Sequence, residues 1–211
     1  MNILLIGPQG SGKGTQARIL CEKFNFFYFE SGAYLRKIAE GIPELKKSLA
    51  EGNLVPDKEM TSYLTAFLDS KHIYSDIVFD GFPRTLEQYR FFKNWLGAKN
   101  VNLDLVIELG ISEEETVKRL GARRQDPATG KIYNLVTDPP PAGTDPSQLV
   151  QRDDDKPEGI KKRLALYHER TEPLIEELKK ETKVFVLDGE RPIEVIAREM
   201  EELVNDTAEN K

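Results

Sequence analysis

Cysteine, histidine and long apolar runs are scarce in this sequence. A single cysteine, Cys21, in 211 residues excludes an internal disulfide and a multi-cysteine zinc site. The only histidines, His72 and His168, leave no obvious general base, and each reads as a surface or helix-packing side chain. No apolar run approaches the roughly 20 residues that cross a bilayer. The stretch from Met1 to Gly7 lacks a basic leader and runs directly into glycine-rich sequence, so a signal peptide is not expected. Positive charge is not in excess either: 30 Lys and Arg face 36 Asp and Glu, a net charge of -6. That balance argues against non-specific nucleic-acid binding as the main business, while leaving room for a local basic cleft. Hydrophobic residues at 39% and charged residues at 31% are ordinary for a soluble chain. The length suffices for one buried core with small insertions. These features point to the cytoplasm, without nucleic acid or membrane as partner.

Five short apolar runs rich in β-branched and aromatic residues are present: Ile3 to Ile6, Phe26 to Phe29, Ile77 to Phe79, Leu103 to Leu109 and Val184 to Leu187. Most lack polar/apolar alternation, as expected of strands buried on both faces of a parallel sheet. Helical patterns separate them. They cover Thr15 to Phe24 and Thr85 to Leu96, then a helix opened by the capping-box sequence Ser112-Glu113-Glu114-Glu115. A fourth runs from Pro157, with a kink expected at Pro173. Strands alternating with helices imply a doubly wound α/β fold. Residues 30–56 carry short helical pieces with no strand between them. Residues 122–155 hold five prolines, several Asp and few large apolar residues, which suits a small surface excursion. There Pro127-Ala128-Thr129-Gly130 is either a hairpin turn or part of a disordered loop.

The strongest local signal is Gly7-Pro8-Gln9-Gly10-Ser11-Gly12-Lys13-Gly14-Thr15, placed between an apolar strand and a helix. Glycines let the backbone curl so that N–H groups face phosphate oxygens, and the helix N-terminus adds a favourable dipole. Lys13 can reach the terminal phosphates and Thr15 a metal ion. Gly14, between the lysine and the hydroxyl residue, departs from the general pattern. By itself the motif implies nucleotide binding and leaves the reaction open.

Ile77-Val78-Phe79-Asp80-Gly81-Phe82-Pro83-Arg84 ends an apolar strand with a carboxylate. Ligands of open α/β sheets bind at that edge, so Asp80 is placed to hold magnesium, directly or through water. A turn aspartate before glycine is the plainer alternative. Arg119 and Arg123 lie four apart near the end of an expected helix, on one face. Arg152 leaves the proline-rich excursion, Arg163 follows one helical segment later, and Arg36 and Arg84 complete the set. Any one of these could be a solvated helix residue. As a set around a phosphate loop they suit phosphoryl transfer, which needs charge neutralisation and positioning more than covalent chemistry.

With these motifs the chain resembles the adenylate kinase family over essentially its whole length. Gly12-Lys13-Gly14-Thr15-Gln16 and Asp80-Gly81-Phe82-Pro83-Arg84 carry the resemblance most specifically. It implies a P-loop three-layer α/β fold with a five-stranded parallel sheet and small NMP-binding and lid subdomains. The expected boundaries are 1–29, 57–121 and 156–211 for the core, 30–56 for the NMP-binding part and 122–155 for a long-type lid. The implied reaction is reversible, magnesium-dependent phosphoryl transfer from ATP to AMP giving two ADP, which maintains adenine nucleotide balance. The resemblance puts Gly10, Ser11, Gly12, Lys13, Gly14, Thr15, Arg119, Arg123, Ile132, Tyr133 and Arg191 on ATP. It puts Ser31, Arg36, Asn53, Leu54, Val55, Gly81, Phe82, Pro83, Arg84, Gln88, Arg152 and Arg163 on the AMP side. Lys13, Arg84, Arg119, Arg123, Arg152 and Arg163 are the implied catalytic groups, with Thr15 and Asp80 near Mg²⁺, the latter through water.

Three departures from the family pattern stand out. Ser31 and Ala33 replace the commoner Thr and Asp, keeping a hydroxyl but removing a carboxylate. Asn53 stands where lysine or glutamine is frequent. The lid lacks a cysteine cluster, so no structural zinc is expected, and Asp126, Thr129, Asp153 and Asp154 are candidates for holding it. A monomer is expected. A kinase for UMP, CMP or another monophosphate remains the rival within the class, and a slow nucleotide-hydrolysing switch the rival outside it.

Overall fold

In a computed structural model, the structure describes residues 1–210; Lys211, the last residue of the expected core, lies outside them. The strands are β1 (Asn2–Ile6), β2 (Phe27–Glu30), β3 (Ile77–Asp80), β4 (Leu105–Gly110), β5 (Arg123–Gln125), β6 (Ile132–Asn134) and β7 (Val184–Asp188). Five of them form one parallel sheet in the order β2-β3-β1-β4-β7, and β5 and β6 form a separate antiparallel hairpin. The helices are α1 (Lys13–Phe24), α2 (Ser31–Ala39), α3 (Pro43–Ala50), α4 (Asp57–Lys71), α5 (Leu86–Ala98), α6 (Glu113–Ala122), α7 (Pro157–Leu166), α8 (Glu172–Glu181) and α9 (Ile193–Glu209).

The continuous apolar run of β1 follows from burial on both faces. Leu4 and Ile6 join a core with Phe79, Phe92 and Leu174, while Ile3 and Leu5 join another with Leu20, Ile107 and Met200. Successive side chains of a strand point to opposite faces, so an unbroken apolar run requires a layer on each side. Helices α4, α5 and α8 supply one layer, and α1 and α9 the other. The result is the three-layer α/β fold with a five-stranded parallel sheet.

Three local features differ from the sequence expectations. Helices α4 and α9 were not among the expected ones, although each carries an i, i+4 apolar stripe: Met60, Leu64, Leu68 and Ile196, Met200, Val204. Pro173 does not bend a continuous α-helix; a π-helical turn over Tyr167–Thr171 precedes it and α8 restarts around it. Proline removes an N–H donor and crowds the preceding turn, and the wider turn absorbs both effects. Half of the capping box forms: the Ser112 hydroxyl accepts from the Glu115 N–H, but Glu190 accepts from the Ser112 N–H. The Glu115 carboxylate instead accepts from Lys118 and Arg119.

Candidate active site

The site lies beyond the C-terminal ends of the parallel strands, where β1 turns into the glycine-rich loop. Gly7 is required there, because a Cβ at this position would lie 2.2 Å from the Leu109 carbonyl oxygen of β4. The loop delivers α1 with Gly12 as its N-cap, in a left-handed conformation and without a side-chain cap. No acidic residue occupies the first turn of α1. The first N–H groups of the helix and its positive dipole end therefore remain available to an anion. Lys13 curls back over the loop, donating to the Gly7 carbonyl at 2.8 Å, the Pro8 carbonyl at 2.7 Å and the Ser11 hydroxyl at 3.2 Å. Burial pushes its pKa down to about 8; Arg84, Arg163 and Arg123 add to the shift and Asp80 opposes it.

Asp80 ends β3, in register with Glu30 at the end of β2. Its carboxylate is largely buried and accepts from the Tyr28 hydroxyl at 2.9 Å. Burial raises its pKa, with Lys13 acting in the opposite direction. The structure also accounts for Gly14: a Cβ there would sit 3.2 Å from the Tyr28 hydroxyl and 3.5 Å from the Asp80 carboxylate. The tight neighbour is the Tyr28 hydroxyl, which donates to Asp80, while the approach to the carboxylate itself is ordinary contact.

Two cavities open here. The larger, about 1050 Å³, is lined by the loop from Gly10 to Thr15, by Asp80, and by Arg119, Arg123, Ile132, Tyr133 and Arg191. All the residues expected on the ATP side therefore meet on one cavity. The second, about 410 Å³, is lined by Ser31, Arg36, Asn53, Leu54, Val55, Gly81, Arg84, Gln88, Arg152 and Arg163. Phe82 and Pro83 line neither cavity. Phe82 is fully buried, with its ring edge-on to Phe92, so its side chain packs the core. Arg36, Arg84, Arg152 and Arg163 line both cavities, so four guanidinium groups form a common wall.

These arginines are held by short local contacts. Arg84 Nε donates to the Gly81 carbonyl at 2.7 Å. Arg152 Nε donates to Gln125 at 2.9 Å. Arg163 pairs with Asp154 at 3.1 Å and Asp155 at 3.0 Å, and Arg36 with Glu30 at 3.2 Å. Burial and repulsion from neighbouring arginines lower Arg152 and Arg163 to about 10, with Asp154 and Asp155 opposing the shift, and both stay cationic at neutral pH. Arg119 bridges the loop carbonyl of Gly10 at 3.4 Å and that of Gly189 at 2.8 Å. Arg123 does not share a helix face with Arg119. Its ψ of 136° places it at the start of β5, because the chain leaves α6 there to enter the hairpin. From that position it makes a two-pronged pair with the buried Asp155 at 2.7 and 2.5 Å.

Sequence reasoning missed Glu30, Arg18 and Tyr28. Glu30 pairs with both Arg18 and Arg36 beside Asp80. Its signal was present: an acid ends an apolar strand, in the same pattern that picked out Asp80.

Fold and site together define a P-loop protein with two cavities that share one cationic wall. An adenylate kinase family model matches residues 5–183, and the chain belongs to that family. It is similar to the adenylate kinase of Pyrococcus furiosus, at 37% identity over 93% of this chain and 92% of that protein. Similar relatives are the adenylate kinases of Petrotoga mobilis, 35% identical over 95% of each chain, and of Thermococcus onnurineus, 39% identical over 90% and 87%.

Proposed function

We propose that the chain works as an ATP:AMP phosphotransferase, with ATP in the larger cavity and AMP in the second. The observation that carries this reading is the arginine wall common to both cavities, since transfer between two bound nucleotides requires their phosphates to meet. Residues 30–56 and 122–155 act as NMP-binding and lid subdomains over the core spans 1–29, 57–121 and 156–211, and their closure excludes water. Lys13 and the loop N–H groups take the β- and γ-phosphates, while Arg119, Arg123 and Arg191 flank the donor. Arg36, Arg84, Arg152 and Arg163 hold the acceptor phosphate in line with the γ-phosphoryl group. An acceptor phosphate oxygen forms the new bond to the γ-phosphorus as the β,γ-bridging bond breaks, and ADP leaves from each side. A phosphate monoester, with its second pKa near 6, is already mostly dianionic at neutral pH, so no general base is needed. This agrees with the lack of histidine at the site.

Magnesium suits the oxygen donors available. Asp80 commits an oxygen to Tyr28 and faces the cavity that Thr15 also lines, an arrangement that accepts a hydrated hard cation. When bound, the ion neutralises phosphate charge. The residues 122–155 are held by hairpin hydrogen bonds and by pairs such as Arg123–Asp155, and purified protein should contain substoichiometric zinc. The protein acts as a cytoplasmic monomer. No helix among the described residues is long and apolar enough to cross a membrane. The deciding assay measures nucleoside diphosphate formation from ATP and Mg²⁺ with AMP, GMP, CMP, UMP or no acceptor. ADP production with AMP supports the reading, turnover with CMP or UMP reassigns the acceptor, and acceptor-independent hydrolysis removes the kinase activity.

A further inference from the structure

Gln88, in the first turn of α5, lines the second cavity and is 2% exposed. A carboxamide has two hydrogens to donate and two lone pairs to accept with. One of each is committed: Oε1 accepts from the Arg84 backbone N–H at 2.8 Å, and Nε2 donates to Asp57 Oδ1 at 2.9 Å. The same Asp57 oxygen accepts from the Thr85 hydroxyl at 2.9 Å, and Arg170 lies 3.4 Å from the other oxygen. Three donors thus converge on Asp57 and leave its carboxylate an acceptor. Reversing the Gln88 amide would set oxygen against the carboxylate and NH₂ against the N–H, replacing two hydrogen bonds by two repulsive contacts. The amide orientation is therefore fixed by its partners.

We propose that Asp57 is a specificity-determining positioning residue, which locks the Gln88 carboxamide so that the second cavity selects a 6-amino purine over a 6-oxo purine. The inference rests on the reading of that cavity as the acceptor monophosphate site. One hydrogen on Nε2 and one lone pair on Oε1 remain for a bound base, in a fixed order. Adenine presents a donor at its 6-amino group and an acceptor at N1, which match that order. A 6-oxo purine presents an acceptor at O6 and a donor at N1, which oppose it. Cytosine has the same order as adenine, so the lock sorts amino from oxo bases and leaves ring size to Leu35, Val55 and Met60 on the apolar wall. A purely structural Asp57, favourable in the first turn of α4, would affect stability but not base choice.

The test compares kcat/KM, with ATP–Mg²⁺ as donor, for AMP, IMP and purine riboside monophosphate, which lacks any 6-substituent. In the native protein AMP should exceed IMP by about 10³-fold, since a site built for hydrogen bonds rejects a mismatched partner strongly. IMP should also fall below purine riboside monophosphate, because a reversed pair repels where a missing group merely leaves a gap. In Asp57→Asn, whose side-chain amide can meet either face of Gln88, the AMP:IMP ratio should narrow by about tenfold. Equal or better use of IMP than purine riboside monophosphate by the native protein would overturn the lock without needing any variant. A folded Asp57→Asn protein with an unchanged ratio would overturn it as well. No turnover of AMP by the native protein would instead remove the acceptor-site reading on which the lock rests.

Discussion

The two cavities of this molecule are built from different materials. The larger is made of glycine-rich backbone, a helix N-terminus and cations, with Lys13, Arg119, Arg123 and Arg191 unique to it. The second is enclosed by side chains of the hydrophobic core, including Leu35, Ala39, Val55 and Met60. On the proposed reading, the first grips charge without reading much shape, whereas the second reads the shape and edge of a base. Among the described residues, the arginines of the common wall are the only strongly charged groups that line both. Substitutions should therefore divide by region: changes in the wall abolish transfer, changes in the loop strike the donor, and changes in the apolar side strike the acceptor.

The largest effect is expected at the wall. Arg84→Ala should lower kcat by about 10³-fold while leaving the fold intact, because the guanidinium stabilises charge during transfer. Steady-state kinetics with a melting curve checks this, and a normal rate would remove Arg84 from the mechanism. Next is Lys13→Met, expected to cost about 10²-fold or more in kcat/KM for ATP. It should also leave a thermodynamic signature. The folded-state pKa of Lys13 lies near 8 against an ordinary 10.5, so above pH 8 the unfolded chain holds the proton more tightly. Native stability relative to the variant should thus be flat below pH 8 and rise between 8 and 10.5, by about 1 kcal/mol for this partly exposed group. Denaturant titrations at pH 7 and 10 would detect it, and a difference of opposite sign would contradict the burial of that ammonium.

On the apolar side, Val55→Ala should raise KM for AMP about threefold to tenfold, since a lost methyl pair weakens the contact with a base. Val55 also belongs to the core, 5% exposed, so stability should fall by about 1 kcal/mol. KM for ATP should stay within about twofold, as additivity holds for separated sites. Equal changes in both KM values would break the division between the cavities.

How much of this was legible in the sequence varied with how local its cause is. The five sheet strands were readable because burial on both faces leaves unbroken apolar runs such as Ile3 to Ile6. The loop residues were readable because backbone geometry forces glycine at fixed spacing. Arg123 was misplaced because the exit from α6 into a hairpin depends on the Asp155 partner, 32 residues later. Asp57 was missed for a similar reason: its role arises from contact with Gln88, 31 residues away, and leaves no local pattern. Glu30 did leave one, an acid ending an apolar strand, but its register with Asp80 and its arginine partners appear only in the fold. Phe82 sits within the most specific motif yet faces the core, since a motif spans both the residues that meet ligand and those that hold the turn in place.

The smallest expected effect belongs to a charged cluster outside both cavities, and it serves as a control on the division. His168, on the π-helical turn, lies 2.8 Å from Glu172 on α8 and 2.9 Å from Glu113 on α6. The hydrogen bond with Glu172, then the other contacts with both carboxylates, raise its pKa above 6.5, partly offset by desolvation. A raised histidine pKa stabilises the fold fully below 6.5, and the contribution fades as pH rises through the folded-state value. His168→Gln should therefore cost a few tenths of a kcal/mol at pH 5.5 and almost nothing at pH 8.5, because all three side chains are well exposed and screened. Neither KM should move. A change in either nucleotide's KM would mean that charge outside both cavities also tunes the site, and the two-cavity division would then be too simple.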